Sequence, residues 1–165
     1  EWNERNNKNL QAEGRSYGIT IERFMKTVVI DNLKSLFGDN WDLEIGEIKR
    51  NCINRAEIEK ESHYKQFNEQ KEVDWTEMFN VLDYKKIIEK YWTKKNDKEN
   101  FESFEKIFSF DIGLGFSNKT DKTKWISKFN SLRNNWAHQA SKNKGLNMVE
   151  VELLGKMKNH CIKFI

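Results

Sequence analysis

An all-α fold is predicted by three features of the 165-residue chain. Proline is absent, whereas sheet-rich sandwiches and barrels use Pro and Gly in their many turns. Apolar residues recur at steps of three and four along most of the length, which is the period of an amphipathic helix. The chain is polar, with 33% charged residues, yet it carries 6 Trp, 11 Phe and 4 Tyr. Disordered chains lack such aromatics because they bury nothing, so this chain is expected to fold. Its length suits one hydrophobic core and not two.

The elements follow from the apolar pattern. Residues 1–18 are polar and read as a frayed or briefly helical lead-in, a candidate linker from a larger protein. The missing initiator Met also suggests a piece of a longer chain with further domains. From Ile19 the pattern changes. Ile21, Phe24, Met25, Val28, Val29, Leu33 and Phe37 predict a helix, and Gly38 suits a left-handed stop. Asp39-Asn40 read as a turn and Trp41 as a core anchor. A second helix is expected over 43–70 through Ile45, Ile48, Cys52, Ile53 and Ala56. Beyond Glu59 it turns polar and reads as exposed helix or loop. Val73 to Thr76 form a turn, and the dense apolar run 78–92 holds a buried helix. Lys94 to Lys98 break the pattern. Phe101, Phe104, Ile107 and Phe108 restart it briefly. Residues 110–122, with Gly113 and Gly115, read as a loop. A strong helix is expected over 121–141, then a linker at 142–145, then a last helix over 147–165. Residues 19–165 thus make one domain.

Charge and cysteine content exclude several classes. A net charge of +3 is weak and does not by itself nominate a nucleic acid. Cys52 and Cys161 are too few and too far apart for a disulfide framework or a zinc site. A reducing, cytoplasmic setting is therefore expected. No apolar run approaches the length needed to span a bilayer, and the polar opening is no signal peptide.

The informative segment is Trp125 to His138. At about 100° per residue, Trp125, Phe129, Leu132 and Trp136 share one narrow stripe that must be core. Asn130, Asn134 and His138 step by four on the other side, and Arg133 lies on the flank. Such a face either meets solvent or builds a polar cleft with another subunit. Asn134 and His138 are i,i+4 neighbours, so the amide can fix the ring's tautomer. Arg133 offers a five-donor fork suited to phosphate. An imidazole exchanges protons near neutral pH. A phosphate clamp plus a general acid/base is the equipment of a ribonuclease that needs no metal. Only RNA supplies the 2′-hydroxyl nucleophile.

These residues, Arg133-Asn134-Asn135-Trp136-Ala137-His138, resemble the Arg-x4-His signature of the HEPN superfamily (higher eukaryotes and prokaryotes nucleotide-binding domains), including the polar residue after the Arg. "GDNW" and "FNVLDYKKIIEKYW" followed by spaced Phe residues are similar to one subgroup. That subgroup is found at the C-terminus of a eukaryotic nuclear mRNA-surveillance endonuclease and in bacterial defence proteins. The resemblance runs from about Ile19 to the end. It implies a bundle of four or five helices, paired about a two-fold axis through the motif helix. It also implies metal-independent, cofactor-free RNA cleavage leaving a 2′,3′-cyclic phosphate and a 5′-hydroxyl. Carried over, His138 is the general acid/base, Arg133 the phosphate-binding cation and Asn134 the orienting residue. The chain would be the effector of a prokaryotic defence or toxin system. Other relatives only dimerise or hold RNA, which is the alternative.

One decoy stands beside the motif. Gly113 to Thr120 imitates a phosphate loop, but Asn118 replaces the second Gly and no strand precedes it. It reads as a loop whose Lys119, Lys122 and Lys124 are candidate RNA-backbone contacts. His63 reads as a solvated side chain. His160, beside Cys161, completes no zinc set.

Overall fold

The computed structural model describes residues 2–95, 102–137 and 145–165. The helices are α1 (Trp2–Arg5), α2 (Lys8–Phe37), α3 (Gly46–Phe67), α4 (Val81–Lys90), α5 (Phe104–Phe108), α6 (Lys119–Ala137) and α7 (Met148–Ile162). Two 3₁₀ segments, Gly38–Ile45 and Trp75–Met78, join α2 to α3 and lead into α4. Among the described residues there is no strand, as the sequence predicts. Among the same residues no helix is long and apolar enough to cross a membrane.

The central element is α2, which packs against α4, α6 and α7 and the first 3₁₀ segment. Its start is set by Asn7, whose side chain accepts the N–H of Leu10. Its end is set by Gly38 at φ 69°, whose N–H donates to the Lys34 carbonyl. Ile21, Met25, Val29 and Leu33 are fully buried along its inner face. They meet Ile87 and Ile88 of α4, Trp125, Ile126 and Phe129 of α6, and Leu154 and Met157 of α7 in one continuous core.

Residues 8–18 differ from the expected lead-in. They form the first three turns of α2 and pack against α7. Gln11, Gly14 and Gly18 are buried there. The Gln11 amide clamps both backbone groups of Leu146: Nε2 donates to its carbonyl at 2.7 Å and Oε1 accepts its N–H at 2.7 Å. Gly14 and Gly18 are needed for close approach. An added Cβ would stand 2.5 Å from Leu146 Cδ1 at the first and 2.0 Å from Trp136 Cη2 at the second. The segment buries bare backbone and one satisfied amide, so the domain extends into the region expected to be a linker.

The second helical stretch remains helical through its polar half, to Phe67, where Asn68 caps it at φ 52°. Only Cys52 and Ala56 of α3 are buried. Arg55 ties it to the next element, donating to Asp83 at 2.6 Å and to the Met78 carbonyl at 2.9 Å. Asp83 also completes a capping box with Asn80, so α4 begins at Val81 and not at Met78. The Phe101 of the expected short helix and the 138–141 end of the expected motif helix lie outside the described residues.

Gln11→Ala should cost about 1–3 kcal/mol for each Leu146 group left buried without a partner, read as a lower urea midpoint with unchanged slope. An unchanged midpoint would show that residues 8–18 contribute nothing to the domain.

Candidate functional site

Helix α6 begins on a closed cap. Asn118 Oδ1 accepts the Asp121 N–H at 2.9 Å. Asp121 Oδ2 accepts the Ser117 N–H at 3.2 Å and the Ser117 hydroxyl at 2.8 Å. Ser117 holds the carboxyl of Asp121 below its usual range, with help from Lys124. A carboxylate thus fills the turn where a phosphate loop would need free N–H groups, so the residues themselves disfavour a nucleotide site.

From there α6 buries the stripe read from the sequence. Trp125 and Phe129 are fully buried and Leu132 nearly so. The Trp125 indole N–H donates to the Phe108 carbonyl at 2.6 Å. Trp136 is half-buried, its ring 5.9 Å from that of Phe129 and pressed on Gly18 of α2. One turn earlier, Arg133 reaches the same face of α2, and its Nε–H donates to Glu22 Oε1. Side-chain exposures of 41% and 33% place this ion pair at the edge of the core, within reach of a ligand. Asn134 is exposed and Asn130 half-buried.

His138 lies outside the described residues. The backbone on either side of it is held. The N–H of Gly145 donates to the Asn135 carbonyl at 3.2 Å. Gly145 itself adopts φ 111°, a left-handed conformation that favours glycine. Its carbonyl accepts Arg5 Nη1 at 2.7 Å, and Arg5 lies 3.4 Å from Glu150. The N-terminal residues therefore hold the backbone at Gly145, just ahead of α7.

The three lysines do not gather at Arg133. Lys119 donates to the Glu89 carbonyl at 3.3 Å, and Lys122 lies over the Phe116 ring at 5.4 Å. Lys124 pairs with Asp121 at 3.4 Å. At 1.5 Å of rise per residue they lie about 13–21 Å from Arg133 along the axis, and Lys124 is on the opposite side of the helix. The residue that sequence reasoning missed is Glu22. It is 111 positions from Arg133, and no local spacing signals a pair that exists only once two helices cross.

The remaining candidate groups are structural. His160 is enclosed by Phe110, Trp125 and Phe164, and its Nε2–H donates to the Ile107 carbonyl at 2.7 Å. Burial depresses its pKa. His63 is partly covered, pairing with Glu69 at 3.3 Å and contacting Phe67. Burial pushes the thiols of Cys52 and Cys161 up to about 11 and about 12, so both stay protonated and unreactive. Among the described residues no His, Cys, Asp and Glu group is arranged to hold a metal. No family model, curated protein or solved structure matches the chain.

The depressed His160 pKa has a stability consequence. The neutral ring is favoured in the folded state, so its contribution is full above the unfolded value of about 6.5 and falls as pH drops below it. His160→Gln should flatten the dependence of melting temperature on pH between 7.5 and 5.5. An equal slope in both proteins would remove His160 as its source.

Proposed function

We propose that the domain is a metal-independent endoribonuclease of the HEPN type. The observation that supports this reading most is the placement of Arg133, half-exposed at the edge of a rigid helix crossing and held by one replaceable carboxylate. A guanidinium in that setting suits a phosphate, which accepts the same fork of donors with more charge than Glu22 offers. Exposed ion pairs contribute only about 0–1 kcal/mol, so exchanging Glu22 for phosphate costs little.

The reaction uses residues of this chain. Arg133 leaves Glu22 and donates to the non-bridging oxygens of the scissile phosphate. His138 takes the proton of the 2′-hydroxyl as that oxygen bonds to phosphorus. The bond from phosphorus to the 5′-oxygen breaks, and the protonated His138 gives its proton to the leaving oxygen. The products are a 2′,3′-cyclic phosphate and a 5′-hydroxyl. Arg133 stabilises the charge that builds on the phosphorane oxygens, while Asn134 orients the imidazole. Two copies paired through the Asn134 end of α6 would place two such sets around one cleft. The resemblance makes the chain a cytoplasmic defence or toxin effector. The two unreactive free thiols are compatible with a reducing compartment.

The Arg133–Glu22 pair also favours a second reading. A guanidinium already satisfied by a carboxylate fits a catalytically silent module that dimerises or holds RNA for a neighbouring domain.

Cleavage of a mixed RNA pool should persist in EDTA and leave cyclic-phosphate ends. His138→Ala and Arg133→Ala should each reduce it at least about a hundredfold, the scale of general acid/base and charge stabilisation. Glu22→Gln should lower KM, because a competitor for Arg133 is removed, with kcat changed by no more than a few fold. Loss of activity on chelation would overturn the mechanism, and cleavage by the His138 variant would remove that residue from it. In sedimentation at micromolar concentration the chain should behave as a dimer, and a monomer that cleaves RNA would exclude the composite cleft.

A further inference from the structure

Between Asp121 and Glu150 the sequence contains no Asp or Glu, yet it contains Lys122, Lys124, Lys128, Arg133, Lys142 and Lys144. The remainder of the chain is therefore net negative, and the weak overall charge conceals a strong asymmetry. Within α6 the cations divide by direction. Arg133 points to α2 and is neutralised by Glu22. Lys119 and Lys122 are turned to Glu89 and to the Phe116 ring. Lys124 and Lys128 lie on the outer face one turn apart, with Ser127 and Ser131 beside them. Lys128 is exposed, and among the described residues it has no ion-pair partner. Lys124 pairs with Asp121 at 3.4 Å.

We infer that this outer face of α6, centred on Lys124 and Lys128, is a track for the sugar-phosphate backbone of single-stranded RNA. The inference rests on the ribonuclease reading for the choice of RNA, and on charge for the rest. The face carries lysines and hydroxyls, which are phosphate-contacting groups, and no carboxylate after Asp121. It carries no aromatic residue, so it holds the strand by its backbone and not by stacking bases, and it is tolerant of sequence. A second copy of the chain fits it poorly, because a two-fold contact there would set lysines against lysines. A lipid surface fits it poorly too, since the face has no large apolar side chain to bury among acyl chains. Lys124 and Asn134 are about 15 Å apart along the axis. Pairing through the Asn134 end therefore leaves the lysines open.

The test is binding of a labelled 2′-O-methyl RNA 12-mer, which lacks the nucleophile and so is not cut. Affinity is measured by anisotropy across a salt series. The parent is compared with Lys124→Gln/Lys128→Gln and with Lys60→Gln/Lys65→Gln on α3, which makes the same change in net charge. The α6 variant should bind at least about fivefold more weakly near 0.1 M salt. Its log–log salt slope should fall by about 0.7 for each lysine, and the α3 variant should match the parent. Equal binding by the two variants, or no binding by the parent, overturns the track. Equally salt-sensitive binding to phosphatidylserine vesicles, lost in the same α6 variant, overturns it in favour of a membrane surface. Loss of binding in the α6 variant with no cleavage by the parent keeps the track and overturns the ribonuclease. Full binding in that variant with cleavage intact does the reverse.

Discussion

The arrangement depends on the contact between the indole of Trp136 and the bare backbone of Gly18. With no side chain at Gly18, the Trp136 indole of α6 lies directly against the backbone of α2. That approach brings the Arg133 stem within reach of Glu22 one turn away on each helix. An added methyl at Gly18 would fall inside the indole, so this contact requires glycine. The same logic holds at Gly14, where Leu146 enters the groove. The two glycines are one turn apart, and together they receive Trp136 near the end of α6 and Leu146 just before α7.

The Gln11 clamp complements this contact. Trp136 fixes α6 before the motif's last residues, and Gln11 fixes Leu146 after them. The Gly145 to Asn135 hydrogen bond links the two ends further. The buried amide is acceptable because both its ends are satisfied.

The sequence was most readable where burial uses large apolar side chains. Ile21 to Leu33 and Trp125 to Leu132 follow the helical period because each turn contributes a bulky residue to the core. Their direction also placed Asn134 outward and Arg133 on the flank. Residues 8–18 escaped the same reading because Gln11, Gly14 and Gly18 bury almost no apolar surface, and hydropathy is blind to close backbone approach. The polar half of α3 was ambiguous for a related reason: it packs on little and is held by helix formers, i,i+4 pairs such as Glu61–Lys65 and the Asn68 cap. Glu22 was invisible because its role depends on a helix crossing, and Lys128 because a single exposed lysine acquires meaning only when its neighbours' partners are known.

Helix α6 also separates two uses of positive charge that composition alone merges. On its inner side, a guanidinium is balanced by a carboxylate, so its field is short-ranged and a ligand must compete for it. On its outer side, Lys124 shares its charge with Asp121, but Lys128 has no ion-pair partner among the described residues, so its field extends about a Debye length, roughly 8–10 Å at physiological salt. In the proposed reading, the outer lysines attract a polyanion, and exchange at Arg133 is a separate local competition between phosphate and Glu22. Because the two events involve different faces of one helix, affinity for the strand and readiness of the cation can vary independently. A net charge of +3 is thus no measure of how strongly this surface attracts a polyanion.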